Sequence, residues 1–121
     1  MSLEEKIIMK NYLCKKCATL TQSSATPASS NCPDEGSHQW TDLGNVGDEN
    51  YQCKKCRILV EASGHPASSN CPDSGSHQWT DLGEIGDDNY LCKKCSAQIM
   101  AVRQPASSNC PEGGSHQWTK L

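Results

Sequence analysis

The chain has 121 residues, a formal charge of −3 and no Phe; its only aromatics are three Tyr and three Trp. So few large apolar residues cannot fill one ordinary core, and an acidic chain is a poor general binder of nucleic acid. Nine cysteines are an odd number, so a closed disulfide framework would leave one thiol over.

Residues 1–10 read as a short tail, with Glu4, Glu5, Lys6 and Lys10 around Ile7-Ile8-Met9. That apolar run is far too short for a membrane span or a signal h-region. A reducing, cytoplasmic setting is therefore expected.

The rest of the chain repeats at an offset of 39 residues, without insertion or deletion at any ligand position. Cys14, Cys17, Cys32 and His38 form the first set, Cys53, Cys56, Cys71 and His77 the second, and Cys92, Cys95, Cys110 and His116 the third. Each reads C-x2-C-x14-C-x5-H, and a fixed period is the mark of a repeat array. The expected modules are 11–43, 50–82 and 89–121, joined by linkers 44–49 and 83–88. Each holds one Tyr two residues before its first ligand and one Trp two residues after its last: Tyr12 with Trp40, Tyr51 with Trp79, Tyr90 with Trp118. Units this small rarely bury enough apolar surface to fold alone. The aromatic pair and a few aliphatics are expected to be the whole core, with metal adding on the order of 10 kcal/mol per site.

Within a module the pattern is strand and turn. Tyr51-Gln52-Cys53 reads as a first strand and Arg57–Glu61 as a second, with counterparts Ala18–Gln22 and Ser96–Met100. Pro-Ala-Ser-Ser-Asn-Cys-Pro reads as a rigid loop. Pro33, Pro72 and Pro111 preset a second knuckle, and Gly36, Gly75 and Gly114 let it turn. His-Gln-Trp-Thr is expected as a third strand. Ile7, Val46 and Ile85 recur seven residues before the first cysteine and are assigned to the module that follows. A six-residue linker reaches at most about 20 Å, so neighbouring modules lie close, either coupled in a short rod or moving as separate beads.

Thiolate and imidazole suit zinc, and four such ligands close a tetrahedral structural site. Strand, Cys-Lys-Lys-Cys knuckle, strand and a second knuckle together resemble a zinc ribbon, or a treble clef without its helix, three times over. The resemblance implies small zinc-stabilised, mainly β modules with little helix and one Zn2+ in each, three ions per chain. It leaves function open.

Other readings of the ligands fit less well. A redox Cys-x-x-Cys needs a βαβ context that is not visible. A catalytic zinc keeps one position open, whereas Cys3His closes the shell. The nucleobase deaminases need His-x-Glu ahead of Pro-Cys-x-x-Cys, and this chain has no His-x-Glu. Asp34, Asp73 and Glu112 recur after the third cysteine as turn residues or outer acceptors. His65, whose counterparts are Thr26 and Gln104, reads as a loop residue. No catalysis is expected.

Lys15-Lys16, Lys54-Lys55 and Lys93-Lys94 flank the knuckles, where cations offset net-negative Zn(Cys)3His centres. The expected function is a non-enzymatic zinc scaffold or adaptor with a protein partner. The alternative is single-stranded or structured nucleic acid, held mainly by the third module through Lys93, Lys94, Arg103 and Lys120 against Glu112 alone.

Overall fold

A computed structural model describes residues 9–34, 36–73 and 75–121. Among these residues there is no helix, and eight strands carry the fold. They are β1 (Lys10–Cys14), β2 (Leu20–Ser23), β3 (Trp40–Cys53), β4 (Leu59–Ala62), β5 (Trp79–Glu84), β6 (Asp88–Cys92), β7 (Gln98–Ala101) and β8 (Trp118–Lys120). The small, mainly β class expected from the sequence is the class observed, with three Cys3His groups suited to zinc.

One antiparallel pattern serves all three modules. The Asn-Tyr-x-Cys strand lies in the centre, flanked by the strand that leaves the first knuckle and the strand that follows the histidine. The orders are β2-β1-β3 in the first module, β4-β3-β5 in the second and β7-β6-β8 in the third. β3 is long because it serves twice: its first residues pair with β1, and Glu49–Cys53 pair with β4 and β5. Residues 44–49 therefore run inside a strand, and the first two modules share one sheet.

Two strand boundaries differ from expectation for local reasons. The second strand begins at Leu20, Leu59 or Gln98, because Ala18, Arg57 and Ser96 take left-handed φ values of 62°, 68° and 66° to finish the first knuckle. In that turn Ala18 N–H donates to Cys14 O at 2.9 Å and Cys14 N–H to Thr19 O at 2.9 Å, repeated at Arg57/Cys53 and Ser96/Cys92. The third strand begins at Trp rather than His, since the histidine N–H turns back to Ser29, Ser68 or Ser107 O at 2.6 Å.

A bulge decides how the modules join. Tyr12 faces Asp42 and Asn11 faces Gly44, so Leu43 is an extra residue in its strand. The same shift leaves Leu82 between Asp81 and Gly83. Gly44 and Gly83 take φ 113°, which favours glycine, and each N–H is held by the preceding Asp42 or Asp81 carboxylate at 2.9 Å. A bulge re-aims its extra side chain. Leu43, 2% exposed, enters a cluster with Leu13 of its own module and Tyr51, Val60 and Ala62 of the next. Leu82, 1% exposed, joins Tyr90, Ile99 and Ala101 of the third module.

Polar contacts repeat across both joints. Asn11 Nδ2 donates to Glu61 O, and Asn50 Nδ2 to Met100 O, each at 2.9 Å. Leu43 O accepts Ala67 N–H at 3.0 Å, and Leu82 O accepts Ala106 N–H at 3.2 Å. At Gly47 and Gly86 the chain crosses the backbone of Ser63 and Val102 so closely that a Cβ would come nearer than 3.0 Å. Val46 is half-buried and pairs with Ala62 of the module after it. Ile7 and most of the 1–10 tail lie outside the described residues; Met9 O accepts Val46 N–H at 2.9 Å. Among the described residues no helix is long and apolar enough to cross a membrane.

Candidate metal centres

Each module brings its four expected ligand residues together from two knuckles. The Cys-Lys-Lys-Cys turn presents two sulfurs, and the Pro-rich loop returns with the third cysteine and the histidine. In all three groups the ligand atoms lie within 4.8 Å of one another. Zinc bonds of about 2.3 Å to sulfur and about 2.0 Å to nitrogen give tetrahedron edges near about 3.8 Å between sulfurs and about 3.5 Å between sulfur and nitrogen. His38 Nδ1 lies 3.6 Å from Cys17 Sγ, His77 Nδ1 3.5 Å from Cys56 Sγ and His116 Nδ1 3.6 Å from Cys95 Sγ. Cys14 Sγ and Cys32 Sγ are 4.0 Å apart. The donor set and its spacing fit a tetrahedral metal ion, with Nδ1 as the imidazole donor in every centre. All nine cysteines are free thiols.

Backbone N–H groups prepare one sulfur of each pair. Gln39 N–H points at Cys14 Sγ and Gln78 N–H at Cys53 Sγ, both at 3.4 Å, and Cys56 N–H reaches Cys53 Sγ at 3.5 Å. Burial pushes the Cys14 thiol up, but N–H donation from Cys17, Gln39 and Lys16 and a contact with the His38 side chain outweigh it, bringing it down to about 6. Cys92 also falls to about 6 through Cys95, His116, Gln117 and Lys94, and Cys53 falls as well. Burial and neighbouring sulfurs push three thiols the opposite way: Cys95 up to about 11, and Cys32 and Cys56 also upward. Without metal, the first and third centres thus each hold one thiolate ready, and every centre holds at least one thiol that must lose its proton on binding. Burial, then the charge of Lys55, lowers the pKa of His77 and keeps its imidazole neutral and able to ligate.

The tryptophans serve the histidines as well as the core, against which Trp79 and Trp118 pack. Trp40, Trp79 and Trp118 stack on His38, His77 and His116 at centroid distances of 4.6, 4.5 and 4.7 Å, nearly parallel. Each indole Nε1–H donates to Ala28, Ala67 or Ala106 O at 2.9–3.0 Å. The Pro-Ala-Ser-Ser-Asn loop is therefore pinned twice, through Ala to the indole and through Ser to the histidine N–H. Asn31, Asn70 and Asn109 take φ 62° just before the third cysteine, a conformation asparagine tolerates. Inter-module identity of this loop has a structural cause in addition to its ligands. The sequence signal was the constant Trp two residues beyond each histidine; its partner in the loop needed the fold.

The lysine pairs divide their work. Lys16 and Lys55 Nζ donate to Ser37 and Ser76 O at 3.2 and 3.1 Å, and Lys94 Nζ to Gly113 O, so the second lysine ties one knuckle to the other. Lys15, Lys54 and Lys93 are exposed. Lys120 pairs with Asp88 at 3.6 Å, and Arg103 lines a groove of about 350 Å³ that also holds Asp81 and Glu84. Tyr12, Tyr51 and Tyr90 are buried. Asp34 and Asp73 are exposed, whereas Glu112 pairs with Arg57 of the middle module. His65 stands apart from the ligand groups, edge-on to Tyr51 at 5.7 Å.

No family model, curated protein or solved structure matches the chain. The functional reading therefore rests on geometry. The first centre is the most open, since His38 is half-buried while His77 and His116 are buried.

Proposed function

We propose that the chain is a non-enzymatic array of three structural zinc modules that presents a stiff, repeated surface to a protein partner. The observation that carries the zinc reading is the closed Cys3His group, formed three times with ligand atoms inside 4.8 Å. A closed shell leaves no coordination position for water or substrate, which supports a structural role over a catalytic one. The protein-partner reading is supported by the acidic charge and by the internal use of the groups that nucleic acid would need. The tyrosines are buried, the indoles stack on histidines, and Lys94 and Lys120 have partners within the fold.

Native mass spectrometry of the zinc-loaded chain should find three ions, and excess chelator should collapse the dispersed NMR spectrum. A different stoichiometry, or a fold that survives chelation, would refute the zinc reading. A labelled single-stranded oligonucleotide at low and moderate salt separates the partner classes. No binding at low salt leaves the protein partner; salt-sensitive binding lost on changing Lys93 and Lys94 to Ala supports nucleic acid.

A further inference from the structure

The joint between the second and third modules reaches the third ligand group itself. Leu59, on the strand leaving the middle module's first knuckle, packs against the Leu82 cluster and also against Cys92, Ala97 and Cys110. Cys92 and Cys110 are two of the third centre's ligands and are fully buried. Arg57, next to Cys56, forms an ion pair with Glu112, two residues beyond Cys110. Asn50, three residues before Cys53, holds Met100 O. These side chains stand close to the middle ligand group in sequence and support the third one in space.

A module of about 33 residues does not keep its strands without metal. Emptying the middle centre therefore releases Leu59, Arg57, Asn50 and Leu82 from the third module, and opens the wall that covers Cys92 and Cys110. Among the described residues the core clusters join only neighbouring modules, so the first and third sense each other mainly through the middle one, as in a one-dimensional chain of neighbours.

Resting on the zinc reading, we propose that the centres load and release metal cooperatively, and that affinity at the third centre is set by occupancy of the second. Thermodynamic reciprocity requires the third to act on the second by the same factor.

The test compares four full-length chains: the parent, C53S/C71S without the middle centre, C14S/C32S without the first, and Leu59→Gln. The last places in the middle module the residue that Gln98 supplies at the same position in the third. Competition with a chromophoric chelator measures zinc affinity, the His116 imidazole NMR signals report the third centre, and native mass spectrometry counts ions per chain. C53S/C71S should weaken the third centre by roughly tenfold or more, a usual size for such coupling. C14S/C32S should change it by less than about twofold. Leu59→Gln should still hold three ions while weakening the third centre several-fold. A half-loaded parent should show singly and doubly loaded chains below the about three-eighths each that independent equal sites give. Third-centre affinity unchanged in C53S/C71S, or half-loaded chains at the independent proportions, overturns the proposal alone. A parent chain that binds no zinc overturns the zinc reading and this proposal together.

Discussion

Replacing Leu82 by Ala tests the joint with a control built into the repeat. Leu43, Leu82 and Leu121 occupy the same position, but Leu82 is 1% exposed among Tyr90, Ile99 and Ala101, whereas Leu121 is 64% exposed. Removing a buried leucine side chain forfeits about 2 kcal/mol of transfer free energy. The cavity left behind adds about 1–2 kcal/mol, for a total near about 3 kcal/mol. The bulge backbone and the hydrogen bond from Ala106 N–H to Leu82 O do not depend on the side chain and should persist. Leu121→Ala should stay within about 0.5 kcal/mol of the parent. Urea unfolding of zinc-loaded protein, followed by Trp fluorescence, gives both values, because Trp79 and Trp118 sit on ligand histidines on either side of the joint. Equal costs for the two changes, or a cost below about 0.5 kcal/mol at Leu82, would refute the view that the bulge leucine locks neighbouring modules.

Gly47→Ala should destabilise the array strongly, since its Cβ would meet the Ser63 backbone, while Gly64→Ala, with nothing near its Cβ, should be neutral or slightly stabilising in the same urea experiment. Glu49→Lys should raise the urea midpoint, less so at high salt: its counterparts make opposite-charge pairs, Lys10–Asp42 at 3.3 Å and Asp88–Lys120 at 3.6 Å, whereas Glu49 faces Asp81 and Glu84. The Glu49 carboxyl is raised by its hydrogen bond to Asp81 and by the charges of Asp81 and Glu84, so its protonated form favours the fold and its contribution is lost as pH rises above the ordinary carboxylate range. Zinc affinity, measured by chelator competition, should fall with falling pH and fall more steeply below about 6, where Cys14 and Cys92 begin to hold protons that zinc must also displace. An unchanged slope across that pH would mean that those two sulfurs are not preset as thiolates.

The twelve candidate ligands were legible because a metal site needs few residues at fixed spacing, and here the spacing recurs without drift. The turn residue after each first knuckle was not: Ala18, Arg57 and Ser96 carry no signal for a left-handed φ, which the knuckle hydrogen bonds impose. Nothing in the sequence singles out Leu43 and Leu82, because a bulge is invisible until the register with Tyr12 or Tyr51 is known. Trp79 and Trp118 pack against the core clusters as expected, but all three tryptophans also brace the histidines, a role the spacing alone did not show. A pair exchange was present in the repeat columns: Lys10 with Asp42 becomes Asp88 with Lys120. Two columns that swap charge together mark a contact, and only the middle module breaks the rule.

X-ray absorption at the zinc edge of the loaded chain tests the assignment of three closed Cys3His centres most directly. Three sulfurs at about 2.3 Å and one nitrogen at about 2.0 Å per zinc, with three zincs per chain by elemental analysis, is the predicted result. Oxygen in the first shell, a sulfur-to-nitrogen ratio other than three to one, or fewer than three ions would contradict it.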